Sequence, residues 1–488
     1  MTQKEMQSIM EIGTAISSEK DYNRLLEMIL NRIMELTHAD AGTLYLADGD
    51  LLRFKIMCNN TMHTCEGGDG KEPNLPPVRM SRENVCAMCY LENRTVCIEN
   101  VRTSTEYDFS GPVRYDAMTG YHTQSMLVVP MHNRQGERLG VIQLINAMDA
   151  AGNICAFPAD IIPAVESVAS QAAITIQNVL YIENIKELFE SFVRVMSSAV
   201  DERTPYNASH TRHMVEYGRH FIDYLNETAK AEGREPWFDA EHRHELLMSV
   251  WLHDIGKLVI PLEVMNKEAR LLPEQKSEIL HRFEKMRLLA QIACLKGAIS
   301  GEALEKRLEE LKQDGDTILR ANTAGFCPDD LREEICRIRE KIYTEEDGSE
   351  KPWLEEEEFQ MLMIRKGTLS EKERAVMESH VVITDKLLSE IRFSKELSHV
   401  REWAASHHEL LNGSGYPEHL MAEQIPMEVR IITILDIFDA LVADDRPYKP
   451  GMPVEKALGI LDIMADKEGK LDPELTRLFR KSRCWEKD

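Results

Sequence analysis

The chain has 488 residues, which is too long for one ordinary hydrophobic core and predicts two domains with connecting segments. Its 58 Lys and Arg against 83 Asp and Glu give a net charge of -25, which disfavours binding to nucleic acid or to an anionic membrane surface. No apolar run reaches the ~18 residues of a membrane-spanning helix, and the N-terminus lacks a signal peptide's apolar core, so we expect a cytoplasmic protein.

Residues 1–180 predict an α+β domain. Apolar residues recur at helical spacing over residues 4–17 and 21–37. The pattern then changes to the alternation typical of strands, and Ser125–Pro130 and Leu139–Asn146 are apolar enough to be central strands. The order of these segments predicts an antiparallel sheet with flanking helices.

Two short segments give this domain a family resemblance. The step Ala-Asp-x-Gly-x-Leu-Tyr-Leu at residues 39–46 and the strand Gly140–Asn146 resemble the GAF domain, a sensory module that often precedes signalling enzymes. The resemblance implies that the domain regulates a downstream activity through an unidentified small ligand or a redox signal.

Five of the ten cysteines lie between residues 58 and 97. In a cytoplasmic chain we expect thiols or metal ligands rather than a disulfide framework. Cys86 and Cys89 have the two-residue gap that metal and redox sites use. Burial as small apolar side chains is the leading interpretation of this pair, and a thiol, zinc or iron–sulfur switch is the alternative.

The stretch 165–200 predicts one long helix that connects the two domains. Its apolar residues recur every three or four positions, and neither Gly nor Pro interrupts it. Such a stripe favours a parallel homodimer through this helix, with packing inside one chain as the alternative.

The C-terminal part, residues 195–488, contains the residues from which we expect chemistry. His253 and Asp254 are adjacent on a predicted helix, and Lys257 projects from the same face one turn later. Further along come side chains of the same kinds, namely His407, His408 and Asp436. Imidazoles and carboxylates are ligands suited to Fe, Mn or Zn, so this series predicts a metal centre.

The order of the motifs gives this part a family resemblance as well. The motifs are His253-Asp-x-Gly-Lys, His407-His-Glu with a following Gly-x-Gly-Tyr-Pro, Asp436-x-Phe-Asp-Ala-Leu, and Arg446-Pro-Tyr-Lys. They resemble the HD-GYP family, HD-type metal-dependent phosphohydrolases that hydrolyse the bacterial second messenger cyclic di-GMP. The resemblance implies an all-α HD-type catalytic domain that produces linear pGpG, GMP or both.

The same resemblance implies the metal ligands. Asp254 would bridge two divalent ions, and the other ligands would be His253 and Asp436 on one ion and His380, His407 and His408 on the other, with His210 as a further candidate. Iron or manganese is expected first, and zinc, nickel or magnesium are alternatives. A third ion is disfavoured because Tyr206 stands where three-metal members carry an acidic residue. Asp254 and Lys257 would be catalytic, the lysine by neutralising charge on the phosphate.

A long insertion separates two of these candidate ligands. His380 rather than His281 continues the family pattern, because the stretch Leu369–His380 reproduces the family's spacing. The charged, periodic residues 268–366 between them predict helices packed as an antiparallel hairpin. This insertion would cover the site, contact a partner or extend the dimer.

The resemblance also implies contacts with the dinucleotide, from Lys257, Gly415, Tyr416, Arg430, Asp439, Arg446 and Lys449. A structural ion pair is the alternative for Arg430 and Asp439. We therefore predict a cyclic di-GMP phosphodiesterase in which an α+β GAF domain is joined by a long helix to an all-α catalytic domain. Hydrolysis of another cyclic dinucleotide or phosphoester is one alternative, and a non-catalytic cyclic di-GMP sensor or scaffold is the other.

Overall fold

The computed structural model describes residues 14–16, 18–19, 21–68, 73–133, 135–203, 209–443 and 451–486. The helix predicted over residues 4–17 lies almost wholly outside these ranges. Two compact units, Met1–Phe189 and Glu190–Asp488, make up the chain. Within the described ranges, no helix combines the length and the apolarity that crossing a bilayer requires.

An antiparallel sheet with flanking helices forms the N-terminal unit, as predicted. The strand order is β3-β2-β1-β7-β6-β5, with β4 beside β2 and β8 beside β7. The strands are β1 (Ala39–Asp48), β2 (Leu51–Asn59), β3 (Thr64–Gly67), β4 (Val78–Arg79), β5 (Val96–Ile98), β6 (Met126–His132), β7 (Arg138–Met148) and β8 (Ile154–Cys155). The helices are α1 (Tyr22–Thr37), α2 (Val85–Glu92) and α3 (Ser110–Thr119). Apolar residues of α1 such as Leu26 and Ile29 pack on one face of the sheet against Leu44 and Leu144.

The cysteines of this unit depart in part from the expectation. Cys58 and Cys65 form a disulfide, so the prediction of unpaired cysteines is wrong for these two. The reason is the register of the sheet, in which β2 and β3 place Cys58 directly opposite Cys65. Cys86 and Cys89 are free thiols buried in an apolar cluster. Burial raises the pKa of Cys86 to about 12, which leaves this thiol protonated at pH 7.

Helix α4 (Ile162–Asp201) occupies the stretch for which one long connecting helix is predicted. It begins in the N-terminal unit, where Val165, Val168 and Ala172 are buried against the sheet. Its middle part exposes large apolar side chains, including Ile185, Leu188 and Phe192 at 65%, 71% and 59% exposure. The apolar stripe therefore leaves the core of the unit and continues into solvent.

The C-terminal unit is largely helical, as predicted. Its main helices are α5 (His210–Ala231), α6 (Ala240–Leu252), α7 (Leu262–Met265), α8 (Pro273–Leu295), α9 (Gly301–Thr323), α10 (Asp329–Arg339), α11 (Glu356–Leu362), α12 (Glu371–Glu378), α13 (His380–Leu388), α14 (Val400–Ala405), α15 (Met427–Val442), α16 (Val454–Asp466) and α17 (Pro473–Ser482). Short 3₁₀ turns span Ile255–Leu258, Lys395–Leu397 and Ala422–Gln424. Residues of α5, α15, α16 and α17, among them Phe221, Leu435, Leu461 and Phe479, build one core.

The insertion has a core of its own. Helices α8 to α11 bury a cluster that includes Phe283, Ile318, Ile335 and Trp353. Between α10 and α11 lies a two-stranded hairpin of β9 (Ile342–Thr344) and β10 (Glu350–Pro352), which the helical pattern did not predict. Where the insertion leaves and rejoins the domain, the Lys267 ammonium lies 2.6 Å from a carboxylate oxygen of Glu373.

Candidate metal centre

The His253-Asp254 pair lies where α6 ends and the 3₁₀ turn Ile255–Leu258 begins. Gly256 follows in this turn because no side chain fits there. A Cβ atom at that position would lie 1.9 Å from the carbonyl oxygen of His380. The backbone of the turn therefore packs directly on the start of α13, which carries the third candidate ligand.

Thr384 connects α13 to the 3₁₀ turn Ile255–Leu258 by hydrogen bonds. Its hydroxyl accepts a hydrogen bond from the Gly256 amide at 3.0 Å and donates one to the carbonyl of His253 at 3.1 Å. Thr384 lies one helical turn after His380, so this pair of bonds fixes His380 relative to His253.

The next two candidate ligands follow α14. His407 and His408 stand in the turn after this short helix, and the Thr433 hydroxyl donates to the carbonyl of His407 at 2.8 Å. Thr433 belongs to α15, the apolar helix that also carries Asp436 three residues later. Asp436 therefore faces the histidines from a neighbouring helix.

His210, the first residue of α5, lies close to Asp436 and Asp254. Its Nε2 atom lies 3.4 Å from Asp436 Oδ1 and 3.8 Å from Asp254 Oδ2. Its Nδ1 atom donates to Asp439 Oδ2 at 2.6 Å. Asp436 and Asp439 are one turn apart on α15, so one helix face presents both carboxylates to this histidine.

The candidate ligands form two groups with a carboxylate between them. One ligand atom each from His210, His253 and Asp254 lies within 4.8 Å of the others, and the same holds for His380, His407 and His408. Asp254 Oδ2 is 3.2 Å from His253 Nε2, whereas Asp254 Oδ1 is 3.4 Å from His380 Nε2 and 3.9 Å from His407 Nε2. Asp254 thus turns one oxygen to each group.

The hydrogen bonds of the imidazoles leave one nitrogen of each ring unsatisfied. The Nδ1 atoms of His253, His380 and His407 each donate to a backbone carbonyl at 2.7 Å, three residues earlier in the chain. The Nε2 atoms of these rings, together with His210 Nε2 and Asp254 Oδ1, are buried without a hydrogen-bond partner among the described residues. Buried polar atoms of this kind require a partner. The four Nε2 atoms lie 3.2 to 3.9 Å from the carboxylate oxygens of Asp254, and such a cluster of nitrogen and oxygen atoms fits a pair of metal ions.

The ionisation of the group favours cation binding. Burial alone would raise the pKa of Asp254, but Lys257 and His253 outweigh it and hold this pKa well below its ordinary value. Burial lowers the pKa of His380 to about 4 and that of His407 well below its ordinary value. The carboxylate is therefore charged and these two imidazoles are neutral at pH 7, which are the states that bind metal.

Lys257 lies on the 3₁₀ turn beside the two groups. Its ammonium is 2.5 Å from Asp254 Oδ2 and its side chain is 19% exposed. Burial would lower its pKa, but the neighbouring Asp254, Asp436 and Asp201 raise it, so the group stays charged. Lys257 is consequently a fixed cation at the edge of the candidate site.

Tyr416 covers His408 from the glycine-rich loop. The two rings are 4.8 Å apart between centroids, and the Tyr416 amide donates to the His408 carbonyl at 3.2 Å. Gly415 is required because a Cβ atom there would lie 2.3 Å from the Leu410 nitrogen. The buried carboxylate of Glu409 accepts from the amides of Glu418 and Leu420 at 2.7 and 2.9 Å. Glu409, for which the motif suggested no role, holds this loop in place.

Two residues predicted to contact substrate have other partners. Asp439 is 1% exposed and supports His210, so it orients a candidate ligand rather than contacting a dinucleotide. Arg430 donates to the carbonyls of Ile425 and Ala422 and to Asp472. The alternative of a structural ion pair therefore agrees with the structure for Arg430, which pairs with Asp472, and Asp439 pairs with His210.

Three predicted positions lie outside the described residues, namely Tyr206, Arg446 and Lys449. His281, which the sequence offered as the alternative to His380, is exposed on α8 in the insertion. It belongs to neither of the two candidate ligand groups found among the described residues.

Comparisons with known proteins identify the two domains. Residues 21–176 match the GAF domain family, and residues 357–475 match the HD domain family. The HD match includes His380, His407, His408 and Asp436. The chain therefore carries a GAF domain followed by an HD domain.

Curated relatives match within the HD region. The chain is 36% identical over 121 residues to "3'3'-cGAMP-specific phosphodiesterase 3" of Vibrio cholerae, which is 25% of this chain and 25% of that protein. It is 40% identical over 102 residues to "Cyclic di-GMP phosphodiesterase response regulator RpfG" of Xanthomonas campestris, 20% of this chain and 26% of that protein. The chain thus spans about a quarter of the length of these relatives. A GAF domain of an Acinetobacter phosphoenolpyruvate-protein phosphotransferase is 15% identical and covers 38% of this chain and 99% of that one, with a TM-score of 0.29.

Proposed function

We propose that this protein is a metal-dependent phosphodiesterase that hydrolyses cyclic di-GMP to pGpG, GMP or both, under control of its GAF domain. The observation that carries the proposal is a set of buried atoms without a hydrogen-bond partner among the described residues, namely Asp254 Oδ1 and four imidazole Nε2 atoms that lie 3.2 to 3.9 Å from the Asp254 carboxylate. A hydrolase that acts on phosphodiesters through paired cations needs such a donor set.

The residues that would hold two divalent ions are those of the two groups. His210, His253 and one oxygen of Asp254 would bind one ion, and His380, His407 and His408 the other. Asp436, which lies between His210 and His408 at 3.4 and 3.7 Å, would complete the set. Imidazole and carboxylate donors suit iron or manganese. Bound divalent ions supply Lewis acidity and water activation for phosphoester hydrolysis.

The chain's own groups would bind and orient the dinucleotide. Lys257 is a fixed cation beside Asp254 and would bind a non-bridging phosphate oxygen, where negative charge increases during the reaction. Tyr416 is half-buried against His408 and offers a ring on which a purine can stack. Arg446 and Lys449 are proposed as further phosphate or base contacts on the basis of their motif alone.

The relatives' names support cyclic dinucleotides as the substrate class. One relative is named for cyclic di-GMP and another for 3'3'-cGAMP, and both match over the HD region. Hydrolysis of 3'3'-cGAMP is therefore the second candidate activity.

Metal analysis and turnover test the proposal together. Protein purified without oxygen should contain about two Fe or Mn ions per chain. It should linearise cyclic di-GMP faster than 3'3'-cGAMP, with products separated by ion-exchange chromatography. Asp254→Asn should lose turnover. Tight binding of cyclic di-GMP without turnover by the metal-loaded wild type would instead indicate a sensor.

We also propose that the chain forms a parallel homodimer through α4. The exposed apolar residues Tyr181, Ile185, Leu188, Phe192 and Val195 alternate at spacings of four and three, which is the seam of a two-stranded coiled coil. Sedimentation should give a dimer for the wild type and for the surface variant Glu183→Gln, and a monomer for the double variant Leu188→Glu/Phe192→Glu. A dimeric double variant would contradict this interface.

A further inference from the structure

Arg203, two residues after the end of α4, binds the turn that carries Lys257. One nitrogen of its guanidinium donates to the carbonyls of Lys257, at 2.8 Å, and Leu258. A second nitrogen donates to the carbonyl of Ile260 at 3.2 Å. One side chain therefore holds three carbonyl groups of a single short segment.

Backbone and side-chain donors meet at the end of this turn. The carbonyl of Lys257 accepts a hydrogen bond from the Ile260 amide at 3.2 Å, and Arg203 adds side-chain donors to the carbonyls of Lys257, Leu258 and Ile260. The planar fork of an arginine can reach several of them at once from separate nitrogens, whereas all the donors of a lysine lie on one nitrogen. Arg203 thus holds the end of the turn and, with it, the backbone position of Lys257.

A second contact joins the end of α4 to the site. Asp201 is buried and accepts a hydrogen bond from the Thr211 hydroxyl at 3.1 Å. Thr211 follows His210 directly in the chain. Asp201 and Arg203 therefore contact the two segments that carry His210 and Lys257.

We infer that Arg203 is a positioning residue for Lys257, through which the last turn of α4 is tied to the phosphate-binding cation. The catalytic part of this inference rests on the proposed phosphodiesterase function. Lys257 has to lie within hydrogen-bond reach of both Asp254 and a substrate phosphate. A shift of its turn by about 1 Å is enough to cost about 100-fold in rate.

The inference is tested with Arg203→Met and Arg203→Lys in the full-length, metal-loaded protein. Arg219→Met, which replaces an exposed arginine on α5, is the matched control. We expect Arg203→Met to lower kcat by about 10- to 100-fold, with little change in KM or in bound metal. Arg203→Lys should recover part of kcat, because it restores one of the contacts. Wild-type kcat in Arg203→Met, or an equal loss in the control, would overturn the inference.

Hydrogen–deuterium exchange separates this inference from the proposed function. In Arg203→Met the amides of residues 255–260 should exchange faster than in the wild type, and those of the insertion core should not change. If the wild type turns over no cyclic dinucleotide, the phosphodiesterase proposal fails, while the exchange result still decides whether Arg203 holds the turn. Unchanged exchange over residues 255–260 would show that it does not.

Discussion

Asp439→Asn is the substitution that tests most directly how the candidate metal centre is built. The Asp439 carboxylate receives the Nδ1 hydrogen of His210 at 2.6 Å, and both residues are buried. Burial alone would lower the pKa of His210, but Asp436 and Asp439 outweigh it and raise this pKa to about 10. His210 is therefore protonated at pH 7 when no metal is bound, and an ion would replace the proton on its Nε2 atom. The Asp439 carboxylate would still accept from Nδ1, which makes the imidazole more basic and a stronger ligand.

The asparagine keeps the shape and an acceptor oxygen but removes the negative charge. Substitutions of groups that support a metal ligand cost about 10- to 100-fold in affinity, or about 1.4 to 2.8 kcal/mol. We expect a loss in this range for the ion next to His210, because the carboxylate is buried and its charge is poorly screened by solvent. The protein should stay folded, since the replacement conserves volume.

The assay measures metal content and turnover during dialysis against graded concentrations of chelator. Asp439→Asn should lose one ion at a lower chelator concentration than the wild type, and added metal should restore its turnover. Asp466→Asn, on an exposed position of α16, is the control and should behave as the wild type. Equal metal retention in Asp439→Asn and the wild type would refute the role of the carboxylate.

Three further predictions concern the same site. His407→Ala should lose bound metal and turnover together, whereas His281→Ala, an exposed histidine of α8, should keep both; retention of both in His407→Ala would contradict the ligand assignment. Glu409→Gln should raise KM about tenfold without loss of metal, since the amide can accept only one of the two backbone hydrogen bonds that fix the Tyr416 loop, and an unchanged KM would count against this role. In chelator-treated protein, burial lowers the pKa of His380 to about 4. Below pH ~6.5 the unfolded chain therefore binds more protons at this residue than the folded chain does. His380 thus lowers the free energy of unfolding as the pH falls through that window, by about 3 kcal/mol near pH 4. Thermal unfolding of metal-free wild type and His380→Gln over this range should show the smaller decline for the variant, and parallel curves would exclude the effect.

Local sequence patterns and motifs were sufficient to predict the fold class of each domain and most of the candidate metal ligands. Alternating periodicity predicts the antiparallel sheet, because it records which faces are apolar. The helical C-terminal unit was expected from the family that its motifs resemble. His253, Asp254, His407 and His408 stand out because adjacent polar ligands interrupt apolar helices. The pattern also favoured His380 over the exposed His281.

The contacts that hold the candidate ligands in place could not be predicted from such patterns. Thr384 and Gly256 are 128 positions apart, and His210 and Asp439 are 229 apart, so no local spacing pairs them. The disulfide between Cys58 and Cys65 depends on the register of two strands. The hairpin of the insertion lies in a stretch whose charged flanks predict helices.

The sequence by itself determined the two domain types, the long helix α4 and the kinds of side chain available for binding metal. Only the tertiary structure decided that Asp254 lies between two groups of imidazoles, that Asp439 supports His210, and that Arg203 holds the turn of Lys257. The physical reason is that apolar periodicity is a property of neighbouring residues. Which distant polar groups come together depends on how the helices pack. A buried polar group also requires a hydrogen-bonding or ionic partner, and only the packing brings that partner into place.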